Sequence, residues 1–310
     1  MVVVKYDNSM SSILRQWKGR GIVSLCLLLL TAVVAEAKLT VSTLNPILTD
    51  LVEEIGGEYV EILEVMPPGS DVHTFQPRAK EVILIQKSTL IFAMGKGIET
   101  YLPGLRDSLL EGQEIIPVGR SVPSMKVDAD PLYVCCPAHA RGAIDPHWWH
   151  SVKNIERAVK VIGKALEKAD PEHKSYYKER VSVARAKYRS LHNWVKSEVS
   201  KIPKKQRVLV TAHVAFAYFC REYGFEAKYL QGLSKESEIS AKHLAETIQE
   251  LKGRKINAIF PEQLANPKML SQIAKEIGAK IGKPLYADDT PGSYEKLIRH
   301  NVNSIVSALQ

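Results

Sequence analysis

The longest regular pattern in the chain runs from Asp170 to Ile202. Apolar or aromatic side chains fall at Tyr177, Val181, Ala184, Tyr188, Leu191, Val195, Val199 and Ile202, three or four residues apart throughout, with polar residues filling most of the gaps. That spacing is one face of an α-helix. Asp170-Pro171-Glu172 reads as its start, because Asp caps free N–H groups and proline suits the first helical position. Pro203 closes the run. About 33 residues at 1.5 Å each give roughly 50 Å, longer than one ordinary α/β domain is wide. Short β-rich runs alternate with helical runs on both sides of it, so the stretch reads as a spine between two halves and not as a coiled-coil arm.

Ahead of the spine, 39–44, 59–66, 89–93 and 114–118 read as strands, and 46–55, 79–87 and 99–110 as helices. A further helix over 152–168 leads into the spine. Beyond Pro203 the strands are 207–211, 225–230, 256–260 and 283–287, and the helices 216–223, 241–252, 267–277 and 293–309. Strands alternating with helices imply parallel sheets covered by helices. The expected fold is α/β with two lobes, each a four-stranded mainly parallel sheet flanked by helices, joined by one long rigid backbone helix. The lobes are placed at 38–150 and 204–310, with a helical linker at 151–203 that includes the backbone helix.

The amino-terminal segment changes the picture of where the chain works. Lys18 and Arg20 precede an apolar run from Ile22 to Val34, followed by Ala35-Glu36-Ala37. This is a basic region, an apolar region and a small-x-small cleavage site, read as a secretory signal peptide over 1–37. The apolar run is too short for a membrane span. Leu25 stands before Cys26 where a lipoprotein signal needs a small residue, which argues against a lipid anchor. A periplasmic location follows. The leader carries Lys5, Arg15, Lys18 and Arg20 against Asp7 and Glu36, so its removal takes the formal charge from +8 to +6. That mild excess is spread along the chain, and its densest patch (Lys201, Lys204, Lys205 and Arg207) is a solvated helix end favoured by the helix dipole. No nucleic-acid recognition motif accompanies it. Cys135, Cys136 and Cys220 remain, an odd number that leaves at least one thiol unpaired, and neighbouring cysteines seldom bridge each other.

In parallel sheets, ligands bind beyond the carboxyl ends of the strands. His73 follows the second strand, His147 sits in the loop entering the helical centre, His213 follows the first strand of the second half, and Asp288 follows the last strand. A lone loop histidine is more often a solvated side chain than a ligand. Four metal-binding side chains at equivalent positions, two from each half, shift that balance. Three imidazoles and one carboxylate suit a tetrahedral or five-coordinate transition-metal site. Pro67-Pro68 and Pro146 stiffen two of the loops. Asp145 and Glu262 are candidates to accept hydrogen bonds from ligand imidazoles, or are a turn residue and a helix-start residue. Trp148 and Trp149 read as packing between the halves.

These stretches resemble one family. Pro68-Gly69-Ser70-Asp71-Val72-His73-Thr74-Phe75-Gln76-Pro77 is similar to the PGSDPHTYEP ligand loop of the zinc/manganese-binding solute receptors of bacterial ABC metal importers (cluster A-I, the metal-binding lipoprotein and adhesin-like family). Met94-Gly95-Lys96-Gly97-Ile98-Glu99 resembles its NGxGxE turn, and Asp145-Pro146-His147-Trp148-Trp149 its DPHVW. Thr211 to Phe219 resembles SHDAFGYF, followed by Tyr223-Gly224, and Leu285-Tyr286-Ala287-Asp288 falls on the last ligand loop. The resemblance covers essentially the whole chain after residue 37. It implies one metal held between two lobes by His73, His147, His213 and Asp288, and an ABC transporter membrane permease as partner. The chain departs from the pattern at Val72, Val214, His150 and Asp289-Thr290-Pro291, which makes Asp289 a competitor for the role of Asp288. The histidine-rich loop of many zinc-specific members is reduced here to Cys135, Cys136 and His139, read as incidental side chains of a surface loop, with an accessory metal-capture site as the alternative.

The expected function is therefore a monomeric metal-ion receptor, not an enzyme, that delivers Zn²⁺ to a permease, with Mn²⁺ or Fe²⁺ as the alternative ions. A secreted zinc hydrolase is the rival reading, but no HExxH motif is present and four protein ligands leave little room for substrate. A scaffold with structural metal is the third, and it would unfold without its ion.

Overall fold

The computed structural model describes residues 37–126, 144–230, 241–263 and 268–310. The leader before residue 37, Cys135, Cys136, His139 and the loop 231–240 lie outside the described residues. No helix among those described is long and apolar enough to cross a membrane.

The first half is a four-stranded parallel sheet. Its strands β1 (Leu39–Thr43), β2 (Val60–Glu64), β3 (Leu90–Ala93) and β4 (Glu114–Pro117) lie in the order β2-β1-β3-β4. Leu39 pairs with Val60, Val41 with Leu90, and Leu90 with Glu114. Helix α1 (Pro46–Gly56) starts on an Asn45 cap whose side chain accepts from the Ile47 N–H, with proline at the first helical position. It buries Ile47, Leu48, Leu51, Val52 and Ile55. Helices α2 (Ala79–Ile85) and α3 (Leu102–Arg106) are short. The expected helix over 99–110 shrinks to α3 because Glu99 turns back, its carboxylate accepting the Met94 N–H at 2.5 Å and the Gly95 N–H at 2.9 Å.

The second half repeats the order more loosely. Strand β5 (Val208–Thr211) pairs with β6 (Glu226–Tyr229), and β7 (Ala258–Ile259) with β8 (Lys280–Ile281), both parallel. One parallel bridge between Thr211 and Phe260 joins the pairs and gives the spatial order β6-β5-β7-β8. The last strand falls at 280–281 and not at 283–287. Pro284 offers no N–H to a ladder, and beyond β8 only Leu285 returns to the sheet, through a bridge to Glu262.

Helices α4 (Val152–Ala169) and α5 (Lys174–Ser200) pack against each other between the sheets. The buried face of α5 carries Tyr177, Ala184, Tyr188, Leu191, Val195 and Val199, as the periodicity requires, and Ile202 is buried just past its end. Its start differs from the expectation. Asp170 ends α4, and its carboxylate accepts the Tyr177 hydroxyl at 2.5 Å and the His173 ring N–H at 2.8 Å. Asp170 is the C-cap of α4, and α5 begins four residues later. Its 27 residues span roughly 40 Å. The remaining helices are α6 (Ala217–Tyr223), α7 (Ala241–Gly253), α8 (Lys268–Ile277) and α9 (Tyr294–Leu309), the last capped by Ser293.

Trp148 and Trp149 are both fully buried. The Trp148 indole donates to the Met94 carbonyl at 3.1 Å, and the Trp149 indole to the Ala287 carbonyl at 2.9 Å. One ring is thus tied to the end of β3 and its neighbour to the loop after β8. Gly119 makes room for the first of these bonds: a Cβ there would lie 2.4 Å from both the Met94 oxygen and the Trp148 indole nitrogen. The main-chain oxygen cannot step aside. Gly119→Ala is therefore expected to lower stability by about 1–3 kcal/mol, measured by denaturant unfolding, with a shift in tryptophan fluorescence. Unchanged stability and emission would contradict this packing.

Candidate metal centre

Each histidine of the centre is set by a short local device. Pro67 and Pro68 lead the chain out of β2 into a turn at Asp71, whose carboxylate accepts the His73 main-chain N–H at 2.9 Å. Val72 points inward and is buried, and Phe75 packs edge-on against Tyr101 with ring centroids 5.9 Å apart. His147 lies in the turn before the 3₁₀ segment Trp148–His150. One oxygen of Asp145 accepts both its main-chain N–H and its ring Nδ1–H, each at 2.8 Å. His213 comes two residues after β5. Glu262, three residues after β7, accepts its main-chain N–H at 3.0 Å and its Nδ1–H at 2.5 Å. In both cases a carboxylate takes the Nδ1 proton and turns Nε2 toward the cluster.

The structure brings His73, His147, His213 and Asp288 together, with one donor atom of each within 4.8 Å of the others. His73 Nε2 and His147 Nε2 are 3.3 Å apart. Asp288 Oδ1 lies 3.7 Å from His73 Nε2 and 3.6 Å from His147 Nε2, while Oδ2 lies 3.6 Å from His213 Nε2. The three imidazole centroids form a near-equilateral triangle with sides of 5.2, 5.2 and 5.5 Å. His147, His213 and Asp288 are buried, and His73 alone keeps partial exposure, so the centre faces solvent on the His73 side.

Burial and charge act in opposite directions here. Burial lowers the pKa of His147 despite the Asp145 hydrogen bond, so this ring is neutral near pH 7. Burial would lower His213 too, but Glu262 and Asp288 outweigh it and push it up to about 10. Burial would raise Asp288, yet His213 and His73 hold it well below the usual carboxylate range. The two shifts have one cause: Asp288 favours a proton on His213, and His213 favours the ionised Asp288.

The other sequence candidates fall outside the cluster. Asp289 is half-buried, and its carboxylate accepts the Thr290 N–H at 2.7 Å. His150 Nε2 donates to the Ala287 carbonyl at 2.9 Å, and its ring packs on Phe216 at 4.3 Å. Burial and then nearby His147 press its pKa down to about 3. Cys220 is a buried thiol. The sequence reading passed over Glu99, which braces the Met94 carbonyl that receives the Trp148 indole; its place four residues after Gly95 in the NGxGxE-like turn was the available signal.

Three imidazoles and a carboxylate gathered from loops around two parallel sheet systems are a donor set that could hold a metal ion. The chain belongs to the ZnuA family, described as the periplasmic component A of a zinc-uptake complex, whose model matches residues 41–308. It is 31% identical over 287 residues to the manganese-binding lipoprotein MntA of Bacillus subtilis, covering 89% of this chain and 91% of that protein. It is 30% identical over 287 residues to the zinc-binding protein TroA of Treponema pallidum, covering 89% and 90%. It is 29% identical over 299 residues to the iron-binding protein YfeA of Yersinia pestis, covering 92% and 93%. The solved structure of the periplasmic zinc-binding protein TroA superposes with a TM-score of 0.78 at 29% identity, covering 88% of this chain and 99% of that one. A manganese-bound periplasmic metal-binding protein from Candidatus Liberibacter asiaticus gives 0.78 at 25% identity, covering 88% and 100%. Members of this family are metal-binding receptors of ABC importers and not enzymes, which removes the hydrolase reading.

The raised His213 value makes a signed prediction for the metal-free protein. A histidine whose pKa is higher folded than unfolded adds stability that is complete below its ordinary value of about 6.5. That contribution is lost as pH rises through about 10. Unfolding midpoints of the metal-free chain should therefore fall between pH 7 and pH 10, and His213→Gln should flatten that slope. Parallel slopes in both proteins would contradict the His213–Asp288 pairing.

Proposed function

We propose that this chain is an extracytoplasmic zinc receptor that holds one Zn²⁺ on His73, His147, His213 and Asp288 and delivers it to the membrane permease of an ABC importer. The observation that carries the choice of ion is the 3.3 Å separation of His73 Nε2 and His147 Nε2. A tetrahedral ion with Zn–N bonds of about 2.0–2.1 Å spaces its ligands about 3.3–3.4 Å apart, and the separation of these two donors is in keeping with that. The third imidazole and the carboxylate, 3.6–3.7 Å from their neighbours, close in by a few tenths of an ångström. Three nitrogens and one oxygen also favour zinc over manganese and ferrous iron in intrinsic affinity. The two oxygens of Asp288 face different histidines; a bidentate carboxylate there would raise the coordination number to five, and this supports Mn²⁺ or Fe²⁺ as the second reading.

Two lobes, 38–150 and 204–310, work in this proposal as near-rigid bodies on the helical linker 151–203. Release needs only a small tilt of the second lobe and movement of the loops that hold His213 and Asp288. Residues 1–37 act as a cleaved leader that sends a single chain to the periplasm.

Metal binding must displace the proton that His213 holds in the metal-free state. The test is calorimetric titration of the chelator-stripped protein with Zn²⁺, Mn²⁺ and Fe²⁺ in buffers of different ionisation enthalpy. One equivalent of zinc should bind most tightly, release about one proton near pH 7 and weaken more than about 100-fold in His213→Ala, a larger loss than removal of a residue behind the ligands causes. Affinity should rise with pH toward 10. Tighter manganese than zinc binding would favour the second reading, and unchanged zinc affinity in His213→Ala would move the site elsewhere.

A further inference from the structure

We propose that Glu262 is a positioning residue that sets the ring of His213 for metal capture and ties it to the chain segment carrying Asp288, so that the third and fourth donors form one half-site; this rests on the metal reading above. The Glu262 side chain is fully buried, and its two oxygens are divided between two donors on one residue: Oε1 takes the His213 main-chain N–H at 3.0 Å and Oε2 the Nδ1–H at 2.5 Å. A carboxylate can only accept here, so Nδ1 keeps its proton and Nε2 is the atom offered to the ion. The main chain of the same residue does the second part. Glu262 pairs with Leu285 through a parallel bridge, the Leu285 N–H donates to the Pro261 carbonyl at 2.8 Å, and the Gln263 N–H donates to the Leu285 carbonyl at 2.8 Å. Asp288 is three residues further on, with Oδ2 at 3.6 Å from His213 Nε2.

The three histidines are not held alike. Asp145 grips His147 at two points, but through a single oxygen and from within the same turn. His73 is held by Asp71 only at its main chain. Glu262 is the one carboxylate of the three that reaches its histidine from a different strand end, and so links two separate pieces of chain. Its amide counterpart cannot do the same. In Glu262→Gln one oxygen must serve two donors. The new –NH₂ then faces either the main-chain N–H, donor against donor, or Nδ1, where it favours the tautomer that places a proton on Nε2 in the ion's path.

The probe is zinc, titrated against a chromophoric chelator, on the unsubstituted protein, Glu262→Gln, Glu262→Asp and His213→Ala. Glu262→Gln is expected to weaken zinc about 10- to 100-fold, as loss of a partner behind a ligand imidazole does. Glu262→Asp, which keeps the two acceptors on a shorter stem, should recover part of the loss. The second readout needs no variant: in ¹⁵N-histidine-labelled protein the His213 Nδ1–H should appear as a far-downfield, slowly exchanging proton. In Glu262→Gln that signal should move upfield or vanish while far-UV circular dichroism shows the folded helix content retained. Parent-like zinc affinity in Glu262→Gln beside a large loss in His213→Ala overturns the role of Glu262 and leaves the metal reading standing. Parent-like affinity in both variants overturns the metal reading itself. Absence of the downfield proton in the unsubstituted protein overturns the two-point grip even if Glu262→Gln fails to fold.

Discussion

Asp288 is a carboxylate with 3% of its surface exposed, set among three imidazoles. Moving a lone ion of that kind out of water costs several kcal/mol, and the rest of the centre can be read as the answer to that cost. The raised pKa of His213 lets a proton there offset the charge; a divalent ion bound at the same place would replace it. Either way the carboxylate stays balanced and the four donors need not disperse.

Balanced charge does not by itself aim the rings. That work falls to Asp145 and Glu262, which take the Nδ1 protons of His147 and His213, and to the cross-links that bind the two sheet systems near the centre. The Ala287 carbonyl receives both the Trp149 indole and His150 Nε2, and the Tyr294 hydroxyl donates to the Trp149 carbonyl at 2.7 Å. The turn that presents His147 and the loop that presents Asp288 therefore share a hydrogen-bonded joint. Behind them α4 and α5 run side by side, with the apolar stripe of α5 buried along its length. This arrangement leaves His73, the donor with one main-chain anchor and partial exposure, as the side open to solvent.

Periodicity carried the long-range features of this fold well. The stripe from Tyr177 to Val199 and the alternation of strands and helices were legible because each depends on spacing along the chain; His73, His147, His213 and Asp288 stood out as loop residues, and their side chains lie together in the structure. The errors share a different cause: a side chain turned to a partner distant in sequence or to an unexpected neighbour. Asp170 caps the end of α4 and holds Tyr177 and the His173 ring, so the spine starts four residues later than the Asp-Pro pair suggested. Glu99 looked like a helix start, but it folds back onto Met94 and Gly95. The 283–287 run has strand composition, yet Pro284 limits it to a single bridge and the ladder forms earlier, at Lys280–Ile281. Glu262 was legible as a candidate partner of a ligand imidazole or as a helix-start residue; that the imidazole is His213, 49 residues away, is a property of the assembled sheet.

X-ray absorption at the zinc edge of the zinc-loaded protein tests the central claim most directly, since it reads the atoms around the ion whatever the affinity. The account predicts one zinc with three imidazole nitrogens at about 2.0–2.1 Å and carboxylate oxygen completing the shell. Sulfur at about 2.3 Å, or a shell with fewer than two imidazoles, would contradict it.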